Sequence, residues 1–496
     1  MSSRTSPALS KSRFLAGLQC PLRLWYQCYE PHLACEVSAA KQALFDTGHE
    51  VGRLATRLYP DGILIREDHF QHEAAVCSTG KLMNDPHVPA IFEAAFFNDN
   101  VRIRADIIER VDDGSWNLVE VKSSTSVKHV YLTDVAVQYR VLQDCGVTVN
   151  RAGILHINNH YVYDGHELNL ESLFSFSDLT DQVTAMQAEI AGALKNLSEM
   201  LSAARAPSIK ASRHCMRPYL CEFWDHCTRH TPEFWVLNLN GITQERLGEL
   251  VAMDVQDIRD LPDSFPLTPL QNRIRTTVVH QREYISDKLQ AELTDIIYPI
   301  HFLDFETAGS AIPRYADTRP YQSVPFQWSN HILDEDGTLQ HHEYLCNQDK
   351  DPRQEFVASL LDSLGDGGTI FIYTTYEKGI IRQLAEYLPQ YHDQLNETLE
   401  RFKDLCDIIR RHYYHAKFYG SFSLKFVLPA LLPDLSYDNL IIQEGNHASL
   451  EYLRMIDPAT APAEKKEIRK NLLNYCGHDT LAMVKIREEL LKRFRI

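Results

Sequence analysis

Residues 104–108 and 118–122 alternate polar and apolar side chains on either side of Asp112-Asp113-Gly114. That pairing of patterns constrains the chain more than any other stretch. Two period-two runs flanking an aspartate-glycine turn predict a β-hairpin. Residues i and i+2 of a strand share a face, so Glu120 and Lys122 point the same way. With Asp106 opening onto that face, two carboxylates and an ammonium converge at one end of a small sheet. Two carboxylates suit a hard Mg²⁺ or Mn²⁺ ion. A neighbouring lysine can orient or deprotonate a water for attack on a phosphodiester. A hydrated strand face is the commoner source of an isolated Glu-Val-Lys, so the surroundings must decide.

The length of 496 residues predicts two to four domains, and 44% hydrophobic with 24% charged residues is ordinary globular material. No apolar run approaches the ~18 residues of a membrane span, and residues 1–13 lack a signal-peptide core. A cytoplasmic, reducing location is therefore expected, in which the 11 cysteines are free, catalytic or metal-bound rather than paired. Fifty basic against 67 acidic residues give a net charge of −17. That argues against a coat-like nucleic-acid binder, yet it is compatible with an enzyme that grips nucleic acid through a local basic groove.

An α/β chain emerges from the order of patterns. Ser10 is a plausible N-cap for a short helix ending near Gly17. A helix over 39–58 carries Gly48-His49-Glu50, and a strand over 91–97 feeds the hairpin. A helix over 130–142 sets Asp134 and Gln138 on one face at i, i+4. A strand over 152–158 and a long helix over 180–204 follow. Then come Cys215, Cys221 and Cys227, with five residues in each interval and aromatics between them. Buried reduced thiols are one explanation. Zinc is another, with His214, His226 or His230 as fourth ligand. An iron–sulfur cluster is the third, and it also needs a fourth ligand.

A lone cysteine, Cys20, before these strands and a cysteine cluster just after them resemble the iron–sulfur members of the RecB/AddB-type PD-(D/E)XK nuclease superfamily. The resemblance covers roughly residues 9–227. It implies a [4Fe–4S] cluster held by Cys20, Cys215, Cys221 and Cys227, stapling the ends of the domain together. It also implies Asp106 and Glu120 as metal carboxylates, Lys122 as the catalytic lysine and His49 as a further metal ligand, with Glu50 as the alternative. Asp134 and Gln138 would line the substrate channel. Three features depart from the pattern: the intervals of five and five, the absence of a Gln-x-x-x-Tyr spacing after Gln138, and the immediate succession of Gly48 and His49.

Residues 236–286 carry apolar positions at helical spacing, punctuated by Pro262, Pro266 and Pro269. They read as a helical linker over 236–295, with some likeness to a helix-hairpin-helix module. Beyond it, Ile300 to Thr307 is an apolar strand with Asp304 and Glu306 on one face. Strands over 324–333, 341–346 and 369–373 follow, with a helix after Pro352. Late helices carry Tyr475-Cys476-Gly477-His478-Asp479, and a separate amphipathic helix covers 481–494. This order resembles an RNase H-like domain of the DEDD (DnaQ-like) 3′→5′ exonucleases over 296–496. It implies Asp304, Glu306, Glu377 and Asp479 as ligands of two metal ions. Tyr475 would position the attacking water, and Asp404 would support. Glu377 stands where that family normally has aspartate. Pro320-Tyr321-Gln322, residues 325–329 and 420–425, and residues 475–483 also resemble a bacterial family of domains of unknown function found behind RecB-type nuclease domains.

The resemblances together imply a Mg²⁺- or Mn²⁺-dependent nuclease with two active sites, one in residues 1–235 and one in residues 296–496. Single-stranded DNA is the favoured substrate by analogy. An RNA 3′-end exonuclease and a non-catalytic nucleic-acid-binding protein are the alternatives. No residue points to a protein partner.

Overall fold

The computed structural model describes residues 7–494. Residues 1–6 lie outside it, and with them part of the stretch read for a leader. The described chain is mixed α/β and divides into two compact units. One comprises residues 1–230 and 310–321; the other comprises 231–309 and 322–496. Residues 236–295 thus pack within the second unit, and the short segment 310–321 packs within the first.

The first unit is built on a mixed sheet. Its path runs Ile63–Leu64, Ala90–Asn98, Val101–Arg110, Trp116–Lys122, Val149–Ile157, Phe174–Asp178, and Leu9–Ser10 pairs parallel to the start of Val101–Arg110. The expected hairpin is present: Val101–Arg110 pairs antiparallel with Trp116–Lys122, and Gly114 takes the left-handed conformation (φ +83°) that the turn requires. Helix His129–Asp144 covers one face, where Val135, Ala136, Val141 and Leu142 meet Ile103, Ala105, Leu118 and Ile154. The other face packs Ile107, Val119 and Leu155 against Val51 and Ala55 of helix Ala39–Thr56. Segment 310–321 joins that side. Ala311 is buried among these residues, and the Tyr163 amide donates to the Thr318 carbonyl (3.0 Å) while the Asp317 amide donates to that of Tyr163 (2.8 Å).

The second unit holds a five-stranded sheet in the order Leu339–Leu345, Val324–Leu333, Ile300–Ala308, Thr369–Ile372, Phe402–Asp404. The first three strands are antiparallel to one another and the last two run parallel to Ile300–Ala308. Period-two alternation divides Ile300–Ala308 cleanly. Leu303 and Phe305 pack with Phe356 and Ile381 on one face, whereas Ile300 and Phe302 join the larger core on the other. Helices Gly445–Ile456 and Pro462–Lys492 lie on that second face. The helix expected over 481–494 is not separate. It is the C-terminal part of the 31-residue helix Pro462–Lys492, which nothing between Asp479 and Leu481 interrupts. The helix expected over 180–204 is instead two, Thr180–Ala185 and Gln187–Ser202, meeting at Met186. Among the described residues no helix is long and apolar enough to cross a membrane.

Candidate active sites

In the first unit the ladder between the hairpin strands stops at Ile107 opposite Val119. Asp106 and Glu120 follow directly, where the strands part. The Asp106 carboxylate accepts from the Val121 amide (2.7 Å), taking the place of a ladder carbonyl. Glu120 is 1% exposed and is the hub. Its Oε1 accepts from Lys122 Nζ (2.6 Å) and Lys11 Nζ (2.8 Å), and its Oε2 accepts from Gln138 Nε2 (2.8 Å). Lys122 also donates to Asp134 Oδ2 (2.7 Å), and Lys11 lies 3.6 Å from Asp134 Oδ1. Asp134 and Gln138 therefore share a face as expected, and that face meets Glu120.

Electrostatics sort these groups. Burial opposes charge on Glu120, but the two ammonium groups outweigh it and hold the carboxyl far below its usual range. Asp106 lacks such a partner; burial and the neighbouring Glu120 charge push it up to about 7. Burial likewise raises Asp134, with Glu120 adding to it. Burial works against the charge on Lys122, yet Glu120, Asp134 and Asp106 raise it well above its ordinary value. In this arrangement Lys122 is a firmly held ammonium.

Two members of the site were not legible as motifs. Lys11 reaches in from the first turn of helix Lys11–Gln19, whose N-cap Ser10 accepts from the Arg13 amide (3.2 Å). Glu93 sits in Ala90–Asn98 between Phe92, paired with Ile107, and Ala94, paired with Ala105, and so stands opposite Asp106. Its backbone is left-handed (φ 56°), a conformation that costs a non-glycine residue about 1–2 kcal/mol. Burial raises its carboxyl, and Lys11 and Arg104 oppose the rise. A glutamate inside the apolar run 90–97 was the available signal. His49 is exposed on its helix, and its charge reaches Glu93 rather than forming any hydrogen bond with Asp106 or Glu120.

The cysteines also converge. Cys20 lies between helices Lys11–Gln19 and Pro21–Tyr29, and Cys215 and Cys221 are buried with Phe223, with Cys227, Tyr26 and Trp224 against them. All four are free thiols. Burial raises Cys215, Cys227 and Cys221, the last to about 12, and Cys20 lies close enough to add to the rise at both Cys215 and Cys227. The chain ends around them are laced together. Gln19 donates to the carbonyls of His214 and Tyr219 (2.8 Å each), and Arg23 and Gln27 both grip Glu222 (2.9 and 2.6 Å). Four thiols in a half-apolar pocket fit an iron–sulfur cluster in the chemistry of the donor set. His214 Nε2 is 3.4 Å from Cys215 Sγ, which keeps a mixed zinc site compatible with the same residues.

In the second unit Asp304 and Glu306 project from the face of Ile300–Ala308 that meets the long helix. Asp304, Glu306 and Cys476 offer ligand atoms that all lie within 4.8 Å of one another and could hold a metal ion. Cys476 donates to Asp304 Oδ2 at 3.5 Å. Glu377, in the first turn of helix Tyr376–Tyr387, is buried and shares a hydrogen bond with Asp304, while its Oε2 has no partner. Asp479 accepts from the Tyr437 hydroxyl and from Tyr475. Burial and mutual repulsion raise Asp304, Glu306 and Asp479 well above the carboxylate range, and burial above all raises Glu377 to about 8. Lys425 is a distant positive charge on Asp479, and it pairs with Glu444 (3.4 Å). The four expected acids are therefore brought together with Tyr475. Cys476, Tyr437 and Lys425 were missed as site residues; Cys476, beside Tyr475, and Lys425, at the end of 420–425, lay within stretches already singled out, whereas Tyr437 did not. Asp404 caps helix Leu405–His412 through the Asp407 amide (2.9 Å), and its charge reaches Glu377.

Four crowded carboxylates without an ion-paired lysine or arginine among the described residues, one with an orphaned oxygen, fit a hard divalent cation. The first site, with two lysines already on Glu120, is balanced differently.

A family model described as a domain of unknown function, DUF2779, matches residues 301–423. The matched stretch includes Asp304, Glu306 and Glu377 and ends before Tyr437, Tyr475 and Asp479. No curated protein matches the chain. Among solved structures, one titled "Crystal structure of SSO0001" is similar at 14% identity over 46% of this chain and 88% of that one, with a TM-score of 0.24.

Proposed function

We propose that the chain is a divalent-metal-dependent nuclease with two hydrolytic sites, a PD-(D/E)XK-type site at Asp106, Glu120 and Lys122 and a DEDD-type 3′→5′ exonuclease site at Asp304, Glu306, Glu377 and Asp479. Single-stranded DNA is the proposed substrate. The observation that carries the reading is the rear cluster: four crowded carboxylates from one strand and two helices, Glu306 and Glu377 buried and Asp304 and Asp479 half-buried, with Glu377 Oε2 unsatisfied. Burying such charges is costly unless a cation compensates.

When bound, Mg²⁺ or Mn²⁺ would polarise the phosphoryl oxygens and make the attacking water more acidic. The chain's own residues do the rest. Tyr475 and Tyr437, both held as neutral phenols by burial and by Asp479, donate to that carboxylate, and the Tyr475 oxygen would orient the attacking water by accepting from it. In the front site Lys122 and Lys11 present ammonium groups on one oxygen of Glu120. Lys122 orients the water and offsets charge building on the phosphoryl group. Asp134 and Gln138 hold Lys122 and Glu120 in place. His49, which acts on Glu93 from helix Ala39–Thr56, would be the further metal ligand of the front site. Cys20, Cys215, Cys221 and Cys227 would hold a structural [4Fe–4S] cluster.

The test is digestion of single-stranded DNA labelled separately at each end, under anaerobic conditions, with Mn²⁺, Mg²⁺ or EDTA. Lys122→Ala and Asp304→Ala should each remove a different product ladder, with losses of at least about 100-fold in that activity. Cleavage of matched RNA in preference to DNA would move the substrate to RNA. Nucleic-acid binding without hydrolysis of either would make the chain a binding protein.

A further inference from the structure

Beside Asp106 lies a cleft of about 730 Å³ whose lining sets four lysine and arginine side chains against the carboxylates of Glu93 and Asp106, with Phe70 and His69 beside them, in a chain of net charge −17. Arg102, Arg104 and Asp106 are spaced i, i+2, i+4 on one strand and line it together. They step towards the carboxylates at about 7 Å intervals, comparable to consecutive phosphates of an extended polynucleotide strand. Arg13 adds to the lining from helix Lys11–Gln19, and Ser10 and Ser12 place that helix's N-terminus at the cleft. At the rim stands Phe70, 84% exposed, its ring 3.9 Å from that of His69.

An exposed phenylalanine on a loose loop would mean little, but this turn is built. The Asp68 carboxylate accepts from the amides of Phe70 (2.8 Å) and Gln71 (3.1 Å), and Gln71 returns a bond to the Asp68 amide (3.4 Å). Arg104 donates to the carbonyls of Glu67 and Asp68, and Ser78 to the Glu67 carboxylate. Behind the turn, buried His72 bonds the Phe96 carbonyl (3.1 Å). The residue that carries positive charge into the cleft thus also fixes the loop that presents the ring. Hydrophobic burial alone gives no reason to hold a phenylalanine outward on a turn secured at so many points.

We propose that this cleft is the strand-entry subsite of the front nuclease site. An unpaired base stacks on the face of Phe70 turned away from His69, and the adjoining phosphates lie along Arg102, Arg104 and Arg13. Stacking needs a base face that a duplex does not expose, so the platform selects single-stranded nucleic acid. The inference rests on the reading of Asp106 and Glu120 as a nuclease site, but binding tests it apart from hydrolysis.

The experiment is fluorescence anisotropy of a labelled oligothymidylate and of a matched blunt duplex, with the full chain in EDTA. Phe70→Ala should weaken single-strand binding by about tenfold and change duplex binding by less than about twofold. Phe70→Trp should restore the single strand. Arg102→Ala should weaken both ligands and reduce the slope of log affinity against log salt by about one. Unchanged circular dichroism keeps misfolding out of the comparison. Single-strand binding that Phe70→Ala leaves intact, equal losses on both ligands, or no single-strand binding by the wild type would each overturn the proposal. Binding that depends on Phe70 in a protein that hydrolyses nothing would sink the nuclease reading and leave the subsite standing.

Discussion

Lys11 and Glu377 show the two ways in which this chain accommodates buried acids. Around Glu120 the chain supplies its own cations, so removing one should expose the cost of the other charges. Lys11→Met should lower the stability of metal-free protein at pH 8 by on the order of 1 kcal/mol, because Glu120 and Asp134 are then left to share Lys122 alone. Urea unfolding with and without Mn²⁺ checks this, and Mn²⁺ should recover more stability in the variant than in the wild type. Glu377 has no such partner, and its folded pKa of about 8 lies above its ordinary value of 4.5. The folded state therefore binds a proton that the unfolded state has released, and stability falls as pH rises from about 5 to 8. In Glu377→Gln that part of the slope should vanish from metal-free melting curves. An unchanged slope would mean that Glu377 does not titrate in this window. In wild type, divalent metal should stabilise more at pH 8 than at pH 6, since binding must displace protons. Sequence patterning reveals Asp106, Glu120, Asp304 and Glu306 because strand periodicity puts them on known faces. It could not reveal Lys11, which meets Glu120 across 109 positions of sequence, nor Tyr437, 42 positions from Asp479.

Among the elements, the hairpin and the strand Ile300–Ala308 were legible because alternation is a local property. The continuity of Pro462–Lys492 was not, because a long helix with polar residues on several faces shows no single stripe. The left-handed Glu93 was not legible either, since Ala90–Asn98 otherwise reads as plain buried strand. At this scale the cysteine pocket makes its own prediction. If Cys20, Cys215, Cys221 and Cys227 hold a cluster, anaerobically purified protein will contain iron and sulfide in equal amounts. Cys221→Ser will lose both, and hydrogen exchange will quicken in helices Lys11–Gln19 and Pro21–Tyr29, which the Cys215–Cys227 segment ties down. Zinc without sulfide would assign the pocket to the other metal. Lys11 lies on the first of these helices, so loss of the cluster should also reduce front-site activity while sparing the rear.

For the whole molecule, mixed α/β composition and two separate clusters of acids followed from the order of patterns, whereas the boundaries between units did not, because they depend on which surface a short segment covers. Residues 310–321 illustrate this: twelve residues with no strand or helix of their own complete the core around Ala311 and Tyr163. The chain accordingly passes from the first unit to the second, back, and out again. Synthesis runs from the N-terminus, so the first unit is not complete when residue 230 leaves the ribosome. It must wait for residue 321, by which time Ile300–Ala308, the strand bearing Asp304 and Glu306, has already emerged without its neighbours. During that interval the nascent chain holds an unfinished core and an unpaired apolar strand at once, and a gene cut anywhere between codons 231 and 310 would make the first of those conditions permanent.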